Sequence, residues 1–75
     1  MSDKKREIDR VEDVIEASNI ALDHLSKQGI IVFKYEVTSV FKRSSAWFII
    51  IEGETFNGVI VIKSKTGEVA TTVKL

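Results

Sequence analysis

The stretch 47–62, WFIIIEGETFNGVIVI, constrains the fold more than any other part of the chain. It holds two β-branched or aromatic runs around Gly53, the pattern of two strands joined by a tight turn. The runs are apolar at almost every position. A strand with one wet face alternates apolar and polar residues, so a run apolar on both parities reads as covered on both sides. With Gly53-Glu54 as a two-residue loop, Trp47, Ile49, Ile51, Phe56, Gly58, Ile60 and Ile62 share one face. Phe48, Ile50, Asn57, Val59 and Val61 share the other.

The flanking sequence supplies a helix and two further strands. Ile8, Val11, Val14, Ile15, Ser18, Leu22 and Leu25 recur at steps of three and four, predicting a helix from about residue 8 to about residue 27. Acidic residues crowd its first half, where the helix dipole favours them, but no residue stands out as its N-cap. Asp23 and Lys27 form an i,i+4 pair in the favoured order, and Gly29 is placed to close the helix with positive φ. Ile20 falls opposite the apolar stripe. Residues 30–42 read as a first strand, with Phe33, Tyr35 and Val37 alternating. The alternation slips at Ser39-Val40-Phe41, the sign of a bulge. Lys42-Arg43-Ser44-Ser45 is a polar turn, and Ser64-Lys65-Thr66-Gly67 is a second turn with Gly67 at positive φ. Residues 68–75 form a last strand, with Val69, Thr71 and Val73 on one side. The expected fold class is α+β: one N-terminal helix packed on a four-stranded antiparallel meander sheet. The helix should lie on the Trp47 face.

Residues 1–75 make one domain, with the charged residues 1–7 expected to fray. A chain of this size buries only about 60–65% of its unfolded surface and often needs a further staple. It has no cysteine and one histidine, which argues against disulfides, thiolate metal sites and zinc. Oligomerisation remains. Eleven basic and eleven acidic residues give zero net charge, so nothing in the overall charge favours nucleic acid or an anionic membrane as partner. The first residues lack an apolar signal-peptide core and no run is long enough to span a bilayer, so the chain reads as cytoplasmic.

At the third strand and its turn, Ile60-Val61-Ile62-Lys63-Ser64-Lys65-Thr66-Gly67-Glu68-Val69 resembles the PepSY domain family. The Trp47-x-Ile49 opening of the second strand and the helix bearing Ala21-Leu22-x-x-Leu25 are similar too, so the resemblance spans roughly residues 10–70. It implies a helix followed by a short antiparallel sheet, and a binding or inhibitory role without catalytic residues, often with peptidases and outside the cytoplasm. The chain departs from the family at Val59 and Val61, where polar residues are usual, at Lys63, where the family is acidic, and in lacking a secretion signal.

Candidate chemistry is sparse. His24 lies off the stripe on the helix surface, and no Ser has a base assigned to it by spacing, so the chain is read as non-enzymatic and without cofactors. Asp9, Glu12, Asp13 and Glu16 fit a solvated helix face better than a cation site. Lys42, Arg43, Lys63 and Lys65 fit ordinary solubilising charge better than a single-strand-binding edge. Trp47, beside Ile49 and Ile51, reads as core. One short helix can cover one sheet face only, so Phe48, Ile50, Val59, Val61, Val69 and Val73 are expected to form an apolar self-association face, most simply in a homodimer. The alternatives are a nucleic-acid-binding domain using the basic turns, or a carrier of a small apolar ligand between helix and sheet.

Overall fold

Trp47 fixes how the chain closes on itself. Its indole Nε1 donates to the carbonyl of Val11 at 2.9 Å in a buried hydrogen bond. Val11 is itself fully buried, and its N–H donates to the carbonyl of Ser64 at 3.0 Å. Ser64 is fully buried in turn, and both its N–H and its hydroxyl donate to the carbonyl of Ser45, at 2.9 and 3.1 Å. This chain of bonds ties the segment before the helix to both hairpin turns at one end of a sheet. The computed structural model describes residues 10–75; the expected fraying of residues 1–7 and the place of Ile8 and Asp9 lie outside them.

The elements run α1 (Val14–Lys27), β1 (Glu36–Arg43), β2 (Ala46–Glu52), β3 (Asn57–Lys63) and β4 (Val69–Lys74). The four strands form one antiparallel sheet in the order β1-β2-β3-β4, with α1 packed against it, an α+β fold. The helix lies on the face carrying Trp47, Ile49, Ile51, Ile60 and Ile62, all buried against Ala17, Ala21 and Leu25. Gly29 and Gly67 both have φ of +81°, as the helix end and the last turn were expected to need.

The helix begins later than the periodicity suggested, and its buried stripe is rotated. Asp13 is the N-cap: its backbone is extended and its carboxylate accepts the Glu16 N–H at 2.8 Å. The Glu16 carboxylate accepts the Glu12 N–H at 3.3 Å, so the two acids bracket the first turn much as a capping box does. Val11, held in its bonds to Ser64 and Trp47, sits ahead of the cap. Val14 and Ile15 are exposed, while Ala17, Ala21 and Leu25 are fully buried and Ile20 and Leu22 pack at the edges of the core. Ile20 is therefore not on the outer side. Small side chains at i and i+4 let the helix backbone approach the branched residues of β2 and β3, which is why alanines rather than Val14 and Ile15 face the sheet. The Asp23–Lys27 pair forms, at 3.0 Å.

Two other boundaries differ. Residues 30–35 are not strand; they pass along the β2–β3 loop, where Phe33 N–H donates to Thr55 Oγ1 at 3.2 Å, Glu54 N–H donates to Phe33 O at 3.3 Å, and the Thr55 hydroxyl donates to Ile31 O. Lys34, at φ +50°, breaks the extended run, and regular pairing starts only at Glu36. The β2–β3 loop spans residues 53–56 rather than Gly53-Glu54 alone, with Glu52 opposite Asn57 and Gly53 N–H bonded to Asn57 Oδ1 at 3.0 Å. The pairing moves by whole two-residue steps, so both face assignments for β2 and β3 survive. At Gly58, an added Cβ would lie 2.4 Å from the Val73 carbonyl and 2.7 Å from the Phe56 ring, so the absence of a side chain there lets Phe56 fold under the sheet.

Leu25→Ala should cost about 2–5 kcal/mol of unfolding free energy and Leu22→Ala distinctly less, because only Leu25 is fully enclosed. Chemical denaturation of the two variants checks the order. Trp47→Phe keeps a ring in place but strips the buried Val11 carbonyl of its donor, and should cost at least about 1–3 kcal/mol by the same measurement.

Candidate functional site: the open sheet face

The second sheet face has a regular grid of side chains. One row reads Phe41, Phe48, Val61, Thr71 across the four strands, and the next reads Ser39, Ile50, Val59, Val73. Beyond the first row lie Arg43, Ala46 and Lys63; beyond the second lie Glu36, Glu52 and Asn57. The two central rows thus make an apolar band, with basic side chains at one end and acidic ones at the other. Phe41 and Phe48 stack across the β1–β2 pair, with ring centroids 5.2 Å apart and planes 8° from parallel. Phe48, Ile50, Val59 and Val61 are half-buried by their neighbours, while Phe41 (41% exposed) and Val73 (47%) are open at the rims. The helix packs on the opposite face, and among the described residues no element of the fold lies over this band.

Five of the six expected face residues come together: Phe48, Ile50, Val59, Val61 and Val73. The sixth, Val69, does not. The β3–β4 pairing steps from Val61↔Thr71 to Ile62↔Val69, skipping Ala70. That extra residue reverses parity, so Val69 lies on the helix side and packs against the core. Phe41 takes the vacant place in the apolar set. A second irregularity, between Val37 and Ser39 on β1, sends Val37 and Val40 to the core side and Phe41 to the open face. The break in alternation near Ser39 signals that bulge in the sequence, and carrying its parity change forward would have found Phe41.

At about 4.8 Å per strand and about 3.4 Å per residue, the band with its flanking rows covers roughly 400 Å². The two apolar rows make up roughly 260 Å² of this, a little under the largest apolar patch of a typical monomer, about 300–600 Å², and such patches are often functional.

Other features offer less. The basic side chains Lys42, Arg43, Lys63 and Lys65 do gather at the end holding the two hairpin turns, but Lys63 already lies 4.0 Å from Glu68. An open groove of about 460 Å³ runs beside the C-terminal end of α1, lined by Leu22, Ile30, Val32 and Tyr35 among others. It is bounded by α1 and residues 29–35 rather than by helix and sheet, where a carrier's pocket was expected. Among the described residues no group of three or more His, Asp or Glu side chains is arranged to hold a metal ion, and no helix is long and apolar enough to cross a membrane. No known family model, characterised protein or solved structure matches the chain.

The parity of β4 has a direct test. Val69→Thr puts a hydroxyl against the core and should cost about 1–2 kcal/mol, whereas Val73→Thr, on the open rim, should stay within about 0.5 kcal/mol. Equal losses in thermal denaturation would contradict the register.

Proposed function

We propose that the chain is a non-enzymatic, cytoplasmic interaction module that self-associates, as a homodimer, through the open sheet face. One observation carries the reading: an apolar band of Phe41, Phe48, Ile50, Val59, Val61 and Val73 lies opposite the helix, uncovered among the described residues. A two-fold sheet-on-sheet contact lets one patch serve both partners. The PepSY resemblance, which implies binding rather than catalysis, supports the same class of function.

The size of the band sets the strength. Two such faces remove about 800 Å² from water, of which about 500 Å² is the apolar band, worth about 13 kcal/mol gross at about 25 cal/mol per Å². Association and side-chain ordering cost about 4–15 kcal/mol or more, and polar rims add desolvation. Interfaces of this size are at the low end of specific contacts, so the dissociation constant belongs in the micromolar to millimolar range. A nucleic-acid site at the basic turns is the second reading, favoured only by the clustering of Lys42, Arg43, Lys63 and Lys65.

Val61→Glu places a carboxylate in the middle of the band without touching the helix-facing core. Sedimentation equilibrium should find the parent chain dimeric at high micromolar to millimolar concentration, and the variant folded but at least tenfold weaker in association. A parent chain that stays monomeric across that range, or a variant that dimerises equally well, rules the face out. Micromolar binding to single-stranded DNA or RNA at moderate salt, lost with Lys42 and Arg43 replaced by Gln, would favour the second reading instead.

A further inference from the structure

The occupant of the open face is a second copy of this chain, and we infer that the two copies meet head to tail, the basic row of each over the acidic row of the other. This rests on the self-association proposed above and adds its geometry. The argument comes from the charges that bracket the band. In the basic row stand Arg43 and Lys63, with Glu68 beside Lys63 at 4.0 Å, leaving one net positive charge. In the acidic row stand Glu36 and Glu52, two negative charges, beside the neutral Asn57. The charges of the open face are those of these two rows: Lys42, opposite Trp47, and Lys74, opposite Gly58, lie on the helix side of the sheet, and Glu54 in the β2–β3 loop is offset by Lys34.

Two sheets stacked face to face can be related by a two-fold axis in the plane between them, running either along the strands or across them. With the axis along the strands, each row meets its own counterpart: the basic row faces a basic row and the acidic row an acidic one. Both contacts are repulsive, and the acidic one doubly so. With the axis across the strands, the two ends exchange. Arg43 then lies over Glu36 of the other copy, Lys63 lies within a strand's width of Glu52, and each such contact occurs twice.

Side-chain size agrees. With the axis across the strands and midway along the band, β1 lies over β1 and the two central rows exchange. Phe41 is then above Ser39, Phe48 above Ile50, and Val61 above Val59, so each aromatic ring meets a smaller side chain.

The chain has no cysteine, so single introduced thiols report the geometry cleanly. Ala46 ends the basic row on β2 and Glu52 ends the acidic row on the same strand, both pointing to the open face. The head-to-tail arrangement places Ala46 of one copy over Glu52 of the other, while two copies of Ala46 lie at opposite ends of the interface. A mixture of Ala46→Cys and Glu52→Cys chains, treated with a short bifunctional thiol reagent, should give the mixed cross-linked dimer. Ala46→Cys alone should give essentially none.

Salt gives an independent readout. Raising sodium chloride from about 50 mM to about 500 mM shortens the screening length from above 10 Å to below 5 Å. It should weaken the parent dimer severalfold. Arg43→Gln/Lys63→Gln should raise the dissociation constant roughly three- to thirty-fold at low salt, the scale expected when several exposed ion pairs are removed.

The outcomes separate the inference from the reading beneath it. A dimer that strengthens with salt and cross-links through Ala46→Cys alone overturns the head-to-tail order while leaving face-to-face association standing. A chain that stays monomeric at all salt concentrations overturns both. So does a dimer untouched by Val61→Glu that cross-links in neither experiment.

Discussion

The hydrogen bond from the Trp47 indole to the Val11 carbonyl decides which side of the sheet is covered. A buried carbonyl in an irregular segment must find a donor or cost about 1–3 kcal/mol. Trp47 supplies one from the start of β2, and Ser64 receives the N–H of the same residue. With Val11 pinned in this way the chain enters α1 from one end of the sheet, and Asp13 caps the first turn two residues later. The helix is then committed to the Trp47 face. Its fourteen residues extend over that face only, and the other face is left to whatever the apolar band can recruit.

Much of this was legible in the residues. The doubly apolar runs 47–51 and 58–62 announced a hairpin with two apolar faces, and the larger, more uniform set was correctly expected to meet the helix. Period-two alternation is insensitive to even shifts, so misjudging the loop at Gly53 by a whole two-residue step did no harm. Odd shifts do not forgive. Ala70 and Thr38 each insert one residue into a ladder, and each exchanges the faces of what lies beyond it. Val69 went to the core and Phe41 to the surface on that account.

The helix stripe misled for a different reason. Val14 and Ile15 carry more hydrophobicity than Ala17 and Ala21, so a periodicity weighted by apolar character points to the wrong side. Close approach to the bulky β2 and β3 residues selects for small side chains, a tertiary demand that local pattern does not express. Asp13, for its part, was hidden inside a run of acids that is equally suited to the helix dipole. The apolar face opposite the helix was legible as a surplus of branched residues, but its polarity was not. Arg43, Lys63, Glu36 and Glu52 become two opposed rows only once the register aligns them.

The two extra residues have a consequence for assembly. A four-stranded open sheet ends in two strands with unpaired backbone groups, each able to add another chain and propagate without limit. Here the edges are β1 and β4, and both carry an irregularity, at Thr38 and at Ala70. Bulges twist an edge strand and interrupt the even spacing of its free N–H and C=O groups, so a neighbouring strand cannot zip along it. Contact through a face related by a two-fold axis consumes itself when two copies meet, whereas contact through an edge does not. The protein has blunted the surfaces that would lead to fibres and kept smooth the one that can end in a closed pair.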